Sequence, residues 1–136
     1  MIRKVTIEDK EWVLDVAEKV YSGTKFGWVR DNASRSFDLV VAKKGALLIR
    51  GEKTFIYCSL IKSMSDYSIQ SAHMILLVGE GNSGMEPLRL LQYAKEWQKQ
   101  NGAIRFNISS ITDHQFGERL MKKLGAVPTL VYDIDN

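Results

Sequence analysis

One stretch decides the order of the elements. It reads IQSAHMILLV (69–78), GEGNSGME (79–86) and PLRLLQYAKEWQKQN (87–101). The first segment is apolar and rich in β-formers and predicts a strand over Ile69–Val78. The second holds three glycines in eight residues, which is typical of a loop. The third has apolar residues at helical spacing behind Pro87 and is followed by Gly102, so it predicts a helix over Pro87–Asn101.

The flanking sequence extends this alternation in both directions. Before the quoted stretch we predict a strand at Ile2–Thr6, a helix from Thr6 to Ser22-Gly23 with Asp9 in its start signal, a helix at Ala33–Lys44 with Phe37, Val40 and Val41 inward, and strands at Ala46–Arg50 and Lys53–Ile61. After it we predict a strand at Ile104–Ser109, a helix that begins at Thr112-Asp113 with Phe116, Leu120, Met121 and Leu124 inward, and a strand at Val127–Ile134. The order β-α-α-β-β-β-α-β-α-β predicts a single α/β domain over residues 1–136, with a mixed, mostly antiparallel sheet and helices on both faces.

Composition excludes several classes of protein. The 136 residues are 45% hydrophobic and 26% charged, as expected of one globular domain. The single cysteine, Cys58, cannot form an intrachain disulfide, and the two histidines match no zinc-ligand spacing, so we expect no metal. The longest apolar run is far too short for a membrane span, and the first residues carry no export signal, so the sequence predicts a cytoplasmic protein.

Charge says little about the partner. The excess of 19 basic over 16 acidic residues leaves a net charge of +3, and the basic residues are scattered along the chain. A nucleic-acid-binding module is therefore the weakest of the functional alternatives.

The glycine-rich loop over residues 79–86 is the first candidate site. Glycine allows close backbone approach, so amide N–H groups in such a loop can converge on an anion in front of a helix N-terminus. Glu80 and Glu86 place negative charge there, and Pro87 lacks a donor. The loop matches neither a P-loop nor a dinucleotide-binding fingerprint, and a purely structural turn remains an alternative.

The chain as a whole resembles the GNAT N-acetyltransferase superfamily. The opening IRKVTIED (2–9) looks like the family's first strand and helix entry, LLQYAKEW (90–97) like its central helix, and KKLGA (122–126) like its Leu-Gly-Phe ending. The resemblance implies an acetyl-CoA-dependent transfer of an acetyl group to an amine whose identity is unknown. The pattern is short and degenerate and is most similar to acetyltransferase-like proteins of phages.

The resemblance also implies a cofactor site. It would hold acetyl-CoA with Leu77, Val78, Gly79, Gly81, Asn82, Ser83, Gly84, Met85 and His114, the pyrophosphate lying over residues 82–85. Three family positions depart from the pattern: Met85 and Pro87 stand at the last two glycine positions of the loop, and Met121 stands where the family has the tyrosine that protonates the leaving thiolate.

Three residues are candidate acids or bases. His73 and Glu80 could take the proton of the amine, and His114 could contact CoA or replace the missing acid. Each also has a structural alternative. Strict alternation along the strand puts Ala72, Met74, Leu76 and Val78 on one face and His73 on the other, so His73 could be a hydrogen-bonded residue at the edge of the core. Glu80 could be a solvated loop residue, and His114 could be a helix cap. Phe26, Trp28 and Tyr57 could line an acceptor pocket or belong to the core, and we expect Cys58 to be buried and inert.

Two functional interpretations therefore remain open. The first is an N-acetyltransferase that uses acetyl-CoA. The second is a catalytically inactive protein of the same fold that acts as a structural or interaction component, in which the last strand could pair across a homodimer.

Overall fold

The computed structural model describes residues 1–81, 83–109, 114–129 and 134, without the side chains of residues 114–116. In chain order the elements are β1 (Arg3–Lys4), a 3-10 turn (Ile7–Asp9), α1 (Lys10–Tyr21), α2 (Arg30–Ala42), β2 (Ala46–Arg50), β3 (Thr54–Lys62), β4 (Gln70–Gly79), α3 (Glu86–Gln100), β5 (Phe106–Asn107) and α4 (His114–Leu124). Up to α4 this is the predicted order. Residues 127–129 are exposed and lie in no strand, and the rest of the predicted last strand falls almost wholly outside the described residues.

The five strands found in the described residues form one sheet in chain order, β1-β2-β3-β4-β5. Neighbouring strands are antiparallel except β4 and β5, which run parallel. The sheet is therefore mixed and mostly antiparallel, as the sequence predicts. Parallel neighbours cannot be joined by a tight turn, and here α3 makes the crossover between them.

Helices cover both faces of the sheet, and each face has its own apolar core. The core under α3 and α4 includes Ile49, Ile56, Cys58, Met74, Leu90, Leu91, Ala94, Leu120 and Leu124. The core under α1 and α2 includes Val5, Val13, Val16, Ala17, Phe37, Phe55 and Val78. The prediction that Val41 faces inward is wrong, because its side chain is 38% exposed on the outer side of α2.

A bulge in β4 changes which face its side chains occupy. Tyr57 of β3 pairs with Leu76 and Cys58 pairs with Met74, so Ile75 has no partner in the ladder. An extra residue in one strand reverses the alternation beyond it. Met74 and Leu77 consequently pack on the α3 and α4 side, whereas Leu76 packs on the α1 and α2 side. The predicted sharing of one face by Met74 and Leu76 is wrong for this reason.

The start of the first helical segment is held by Asp9, which is 7% exposed. Its carboxylate accepts two hydrogen bonds from the Arg3 guanidinium, at 2.7 and 2.8 Å, and one from the Thr6 amide at 2.9 Å. Arg50 of β2 adds a third cationic bond at 3.1 Å and lies over the Trp12 ring, 3.5 Å from its centroid. The predicted Thr6 and Asp9 start signal is thus present, and its carboxylate joins β1, β2 and α1.

Candidate active site

Beyond His73, the described residues of β5 leave the edge of β4 unpaired, and this unpaired stretch is the gap between β4 and β5. In the described part of the chain, β5 pairs with β4 at two positions only, Ala72 with Phe106 and His73 with Asn107. β4 continues six residues further, to Gly79. The edge of β4 beyond His73 therefore has no β5 ladder beside it.

The direction of the β4 peptide groups follows from one hydrogen bond. The Glu80 amide donates to the Lys53 carbonyl at 2.9 Å, so it points toward the β3 side. Because peptide groups in an antiparallel strand alternate between its two sides, those of Val78 also point to β3, and those of Leu77 and Gly79 point to the gap. Of the three predicted strand positions, Leu77 and Gly79 present backbone groups there, while the buried side chain of Val78 packs in the α1 and α2 core.

The gap leads into the glycine-rich loop. The Ser83 hydroxyl donates to the Glu80 carbonyl, the Glu86 amide donates to the Ser83 carbonyl at 3.3 Å, and Gly84 has a φ of 60°. Among the described residues, none accepts a hydrogen bond from the amides of Ser83, Gly84 or Met85. These three donors precede α3, whose N-terminus favours negative charge. Asn82 lies outside the described residues.

Glu86 does not bring its charge into this loop. Its carboxylate accepts hydrogen bonds from the amides of Lys53 at 2.7 Å and Thr54 at 2.6 Å, in the turn between β2 and β3. Burial alone would raise the pKa of Glu86, but the amides of Lys53, Glu52 and Thr54 and the Thr54 hydroxyl outweigh it and hold that pKa below its usual value. The expected conflict between Glu86 and an anion in the loop is thus reduced, since the carboxylate is hydrogen-bonded on the β2 and β3 side.

His73 lies where the gap begins, half-buried on the α1 and α2 side of β4. Its Nε2 is 2.8 Å from the Ser71 hydroxyl, and its Nδ1 is 3.3 Å from the Asn107 side-chain amide. Its neighbour on β3 is Ser59, whose hydroxyl accepts a hydrogen bond from Lys43 at 3.0 Å. His73 is therefore a hydrogen-bonded residue at the edge of the core and also borders the gap.

Glu80 lies far along the chain direction from His73, and Cys58 and Met121 lie on the other face of the sheet. Glu80 is seven residues along the same strand direction, roughly 23 Å at about 3.3 Å per residue. Cys58 is fully buried on the opposite face of the sheet, and burial raises the pKa of its thiol to about 12. Met121 packs against the α3 and α4 core, and its thioether has no proton to donate. α4 begins at His114, but the side chain of His114 lies outside the described residues.

The three aromatic candidates divide by burial. Phe26 is 77% exposed, whereas Trp28 and Tyr57 are half-buried. Trp28 stacks on Tyr21 with ring centroids 6.5 Å apart, at the edge of the α1 and α2 core. Trp28 thus belongs to the border of the core on the same side of the sheet as His73.

Sequence reasoning missed Ser71 and Asn107, and it placed the charge of Glu86 in the loop. Ser71 and Asn107 hold the two ring nitrogens of His73, and Glu86 anchors the start of α3. Ser71 stands two residues before His73, so the alternation of side chains along a strand could have placed Ser71 on the same face as His73. Asn107 and Glu86 contact partners more than 30 residues away, and no local signal marks such pairs.

Two classes of site are not found in the described part of the chain. No group of three or more His, Cys, Asp or Glu residues is arranged to hold a metal ion there. No helix among these residues is long and apolar enough to cross a membrane.

No protein-family model and no curated protein matches the chain by sequence. Solved structures resemble it over its whole length. A putative acetyltransferase from Agrobacterium tumefaciens superimposes with a TM-score of 0.82 at 11% identity, covering 100% of this chain and 99% of that one. A transcriptional regulator from Bacillus halodurans gives 0.80 at 15% identity, covering 100% and 98%. A GNAT family acetyltransferase from Staphylococcus aureus gives 0.71 at 11% identity, covering 100% and 97%. The chain therefore has the fold of the GNAT acetyltransferases.

Proposed function

We propose that this protein is an N-acetyltransferase that uses acetyl-CoA as its acyl donor. The observation that carries the proposal is the gap between β4 and β5, which leads directly into a loop whose amides at Ser83, Gly84 and Met85 have no acceptor among the described residues. A linear ligand with an anionic end and an amide-containing arm fits such a path, and acetyl-CoA has both. The fold shared with acetyltransferases supports the same conclusion.

The loop would bind the pyrophosphate. The amides of Ser83, Gly84 and Met85 supply donors, and the α3 N-terminus adds a favourable dipole. The arm would then run along β4, where the peptide groups of Leu77 and Gly79 can hydrogen-bond its amides. Gly79 also has to lack a side chain, because a Cβ there would lie 2.6 Å from the Thr54 hydroxyl oxygen.

This orientation favours His73 over Glu80 as the base. The pyrophosphate and the thioester stand at opposite ends of the arm, so a pyrophosphate at the loop places the thioester toward the middle of β4. Glu80 adjoins the loop, whereas His73 borders the place where the gap begins. In the proposed reaction the amine attacks the thioester carbonyl, the C–N bond forms, the C–S bond breaks, and His73 takes the proton from the nitrogen.

Calorimetric titration of the purified protein with acetyl-CoA tests the proposal. We expect a one-to-one isotherm in the micromolar range, and desulfo-CoA should bind through the same pyrophosphate contacts. No heat at millimolar ligand, together with an unchanged melting temperature, would overturn it, because a ligand that binds only the folded state must stabilise that state.

Three observations support a second candidate, a protein of this fold without catalysis. Met121 cannot protonate a thiolate, and Pro87 lacks an amide donor in the first turn of α3. One structural neighbour is described as a transcriptional regulator. If the titration shows no binding, the search for partners should turn to macromolecules and to self-association.

A further inference from the structure

Three polar side chains, with His73 in the middle, form a row on one face of the sheet. Ser71 and His73 share that face of β4, and Asn107 is the cross-strand neighbour of His73 on β5. The Ser71 hydroxyl is 2.8 Å from Nε2 and the Asn107 side-chain nitrogen is 3.3 Å from Nδ1. All three residues are half-buried, and the row ends where the gap opens.

The two contacts favour one tautomer of the ring. In the orientation that the structure gives the Asn107 amide, its nitrogen donates to Nδ1, and a neutral imidazole then carries its single proton on Nε2. The Nε2–H donates to the Ser71 oxygen. The contact at Nε2 has an ordinary hydrogen-bond length, whereas the one at Nδ1 is at the long end of the range and is the weaker. Nδ1 is therefore the nitrogen that can exchange its partner, and it faces the β5 side.

We propose that Ser71 and Asn107 are positioning residues that hold His73 as the Nε2–H tautomer, so that Nδ1 is the atom that receives the proton of the acceptor amine. This inference rests on the proposed function for its catalytic part. The tautomer itself is a property of the protein alone.

The same atom can also supply the acid that Met121 cannot. The amine nitrogen loses a proton to Nδ1 as the C–N bond forms, and the Asn107 amide turns so that its oxygen accepts the new Nδ1–H. As the C–S bond breaks, the thiolate takes that proton from Nδ1, which leaves neutral His73, CoA thiol and the acetylated amine. Atoms and charges balance without a second ionisable side chain.

Nitrogen-15 NMR of the imidazole rings at pH 8.5 tests the tautomer without any ligand. The chain has only two histidines, so a His114→Gln variant assigns the two rings. We expect the His73 signals of an Nε2–H ring in the unmodified protein. In Asn107→Asp they should reverse to those of an Nδ1–H ring, because a carboxylate can only accept. An Nδ1–H ring or a rapid mixture in the unmodified protein would overturn the proposal, and this result does not depend on the Asn107→Asp variant.

Kinetics with acetyl-CoA and a panel of primary amines, such as butylamine and lysine, tests the catalytic part. Asn107→Asp should lower kcat by about 100-fold, because its Nδ1 already carries the proton, and should leave the KM for acetyl-CoA unchanged. Ser71→Ala should lower kcat, and Ser71→Thr, which keeps the hydroxyl, should restore most of it. An equal loss in both Ser71 variants, or an unaltered kcat in Asn107→Asp, would refute the role. Calorimetry of the same variants with acetyl-CoA shows whether a loss of kcat comes with a loss of acetyl-CoA binding or arises in the proton transfer alone.

Discussion

The carboxylate of Glu86 occupies the space beside Gly51 that a side chain would need. A Cβ at residue 51 would lie 2.6 Å from Cγ of Glu86, well inside van der Waals contact. From this position the carboxylate binds the amides of Lys53 and Thr54. The first residue of α3 is thereby tied to the turn between β2 and β3, and the glycine-rich loop is closed between two anchored points.

We expect Gly51→Ala to destabilise the protein, because the added methyl group displaces Glu86 and leaves the amides of Lys53 and Thr54 without their charged acceptor. Hydrogen bonds to charged groups contribute roughly 2 kcal/mol each, so the free energy of unfolding should fall by about 2 to 3 kcal/mol. Urea denaturation measures this change directly.

Glu86→Gln is the matched control for that experiment, because its side-chain oxygen can still accept from both amides while the charge is removed. Its loss of stability should be clearly smaller than that of Gly51→Ala. Equal urea midpoints for Gly51→Ala and the unmodified protein would show that the position of the Glu86 carboxylate does not depend on the absence of a Cβ at residue 51.

The sequence predicted the fold where the signals were local. The helix over residues 87–101 has a Pro start, a regular apolar spacing and a Gly end, and the structure places it within one residue at each end. The three strands before it have turn residues between them, and they form as predicted.

The site was less predictable because it depends on contacts between distant segments. The bulge at Ile75 arises from the register of β4 against β3, and nothing in the residues around it marks an extra position. The partner of His73 on β5 depends on where two parallel strands part. The sequence could therefore indicate the glycine-rich loop and His73, but it could not place Asn107, Ser71 or the carboxylate of Glu86.

Asp9 should make stability depend on pH in the acid range. Its bonds to Arg3, opposed by burial and reinforced by the Thr6 amide and Arg50, hold the pKa of Asp9 well below its usual value. A lowered pKa in the folded state means that the unfolded chain binds the proton more readily. The contribution of ionised Asp9 to the free energy of unfolding is therefore complete above about pH 4 and is lost as the pH falls further. Thermal unfolding between pH 3 and pH 7 should show this decline.

Asp9→Asn isolates this contribution from those of the other carboxyl groups, since Glu86 and Asp66 also have lowered pKa values and act in the same pH range. The variant should be less stable than the unmodified protein at pH 7, and the difference should shrink toward pH 3. A difference that stays constant over the whole range would contradict an ionised Asp9 as its source.

Cys58 should be unreactive in the folded protein. Its thiol is fully buried, and its pKa is raised to about 12 by burial, so the reactive thiolate is absent at pH 8. An aromatic disulfide reagent should label it only over the time course of unfolding, whereas in guanidinium chloride one thiol per chain should react at once. Rapid stoichiometric labelling without denaturant would show that this core opens readily.

Two glycines of the loop allow a matched test of how its backbone serves acetyl-CoA. Gly84 has a φ of 60°, which a residue with a side chain adopts at a cost of roughly 1 to 2 kcal/mol, whereas Gly81 has open space and an ordinary backbone conformation. If the amides of Ser83, Gly84 and Met85 bind the pyrophosphate, Gly84→Ala should weaken acetyl-CoA binding by about fivefold or more, because relieving the strain turns those amides away. Gly81→Ala should bind as the unmodified protein does. Calorimetry of both variants decides the matter: an equal effect of the two substitutions, or none from Gly84→Ala, would mean that acetyl-CoA does not depend on this conformation of the loop.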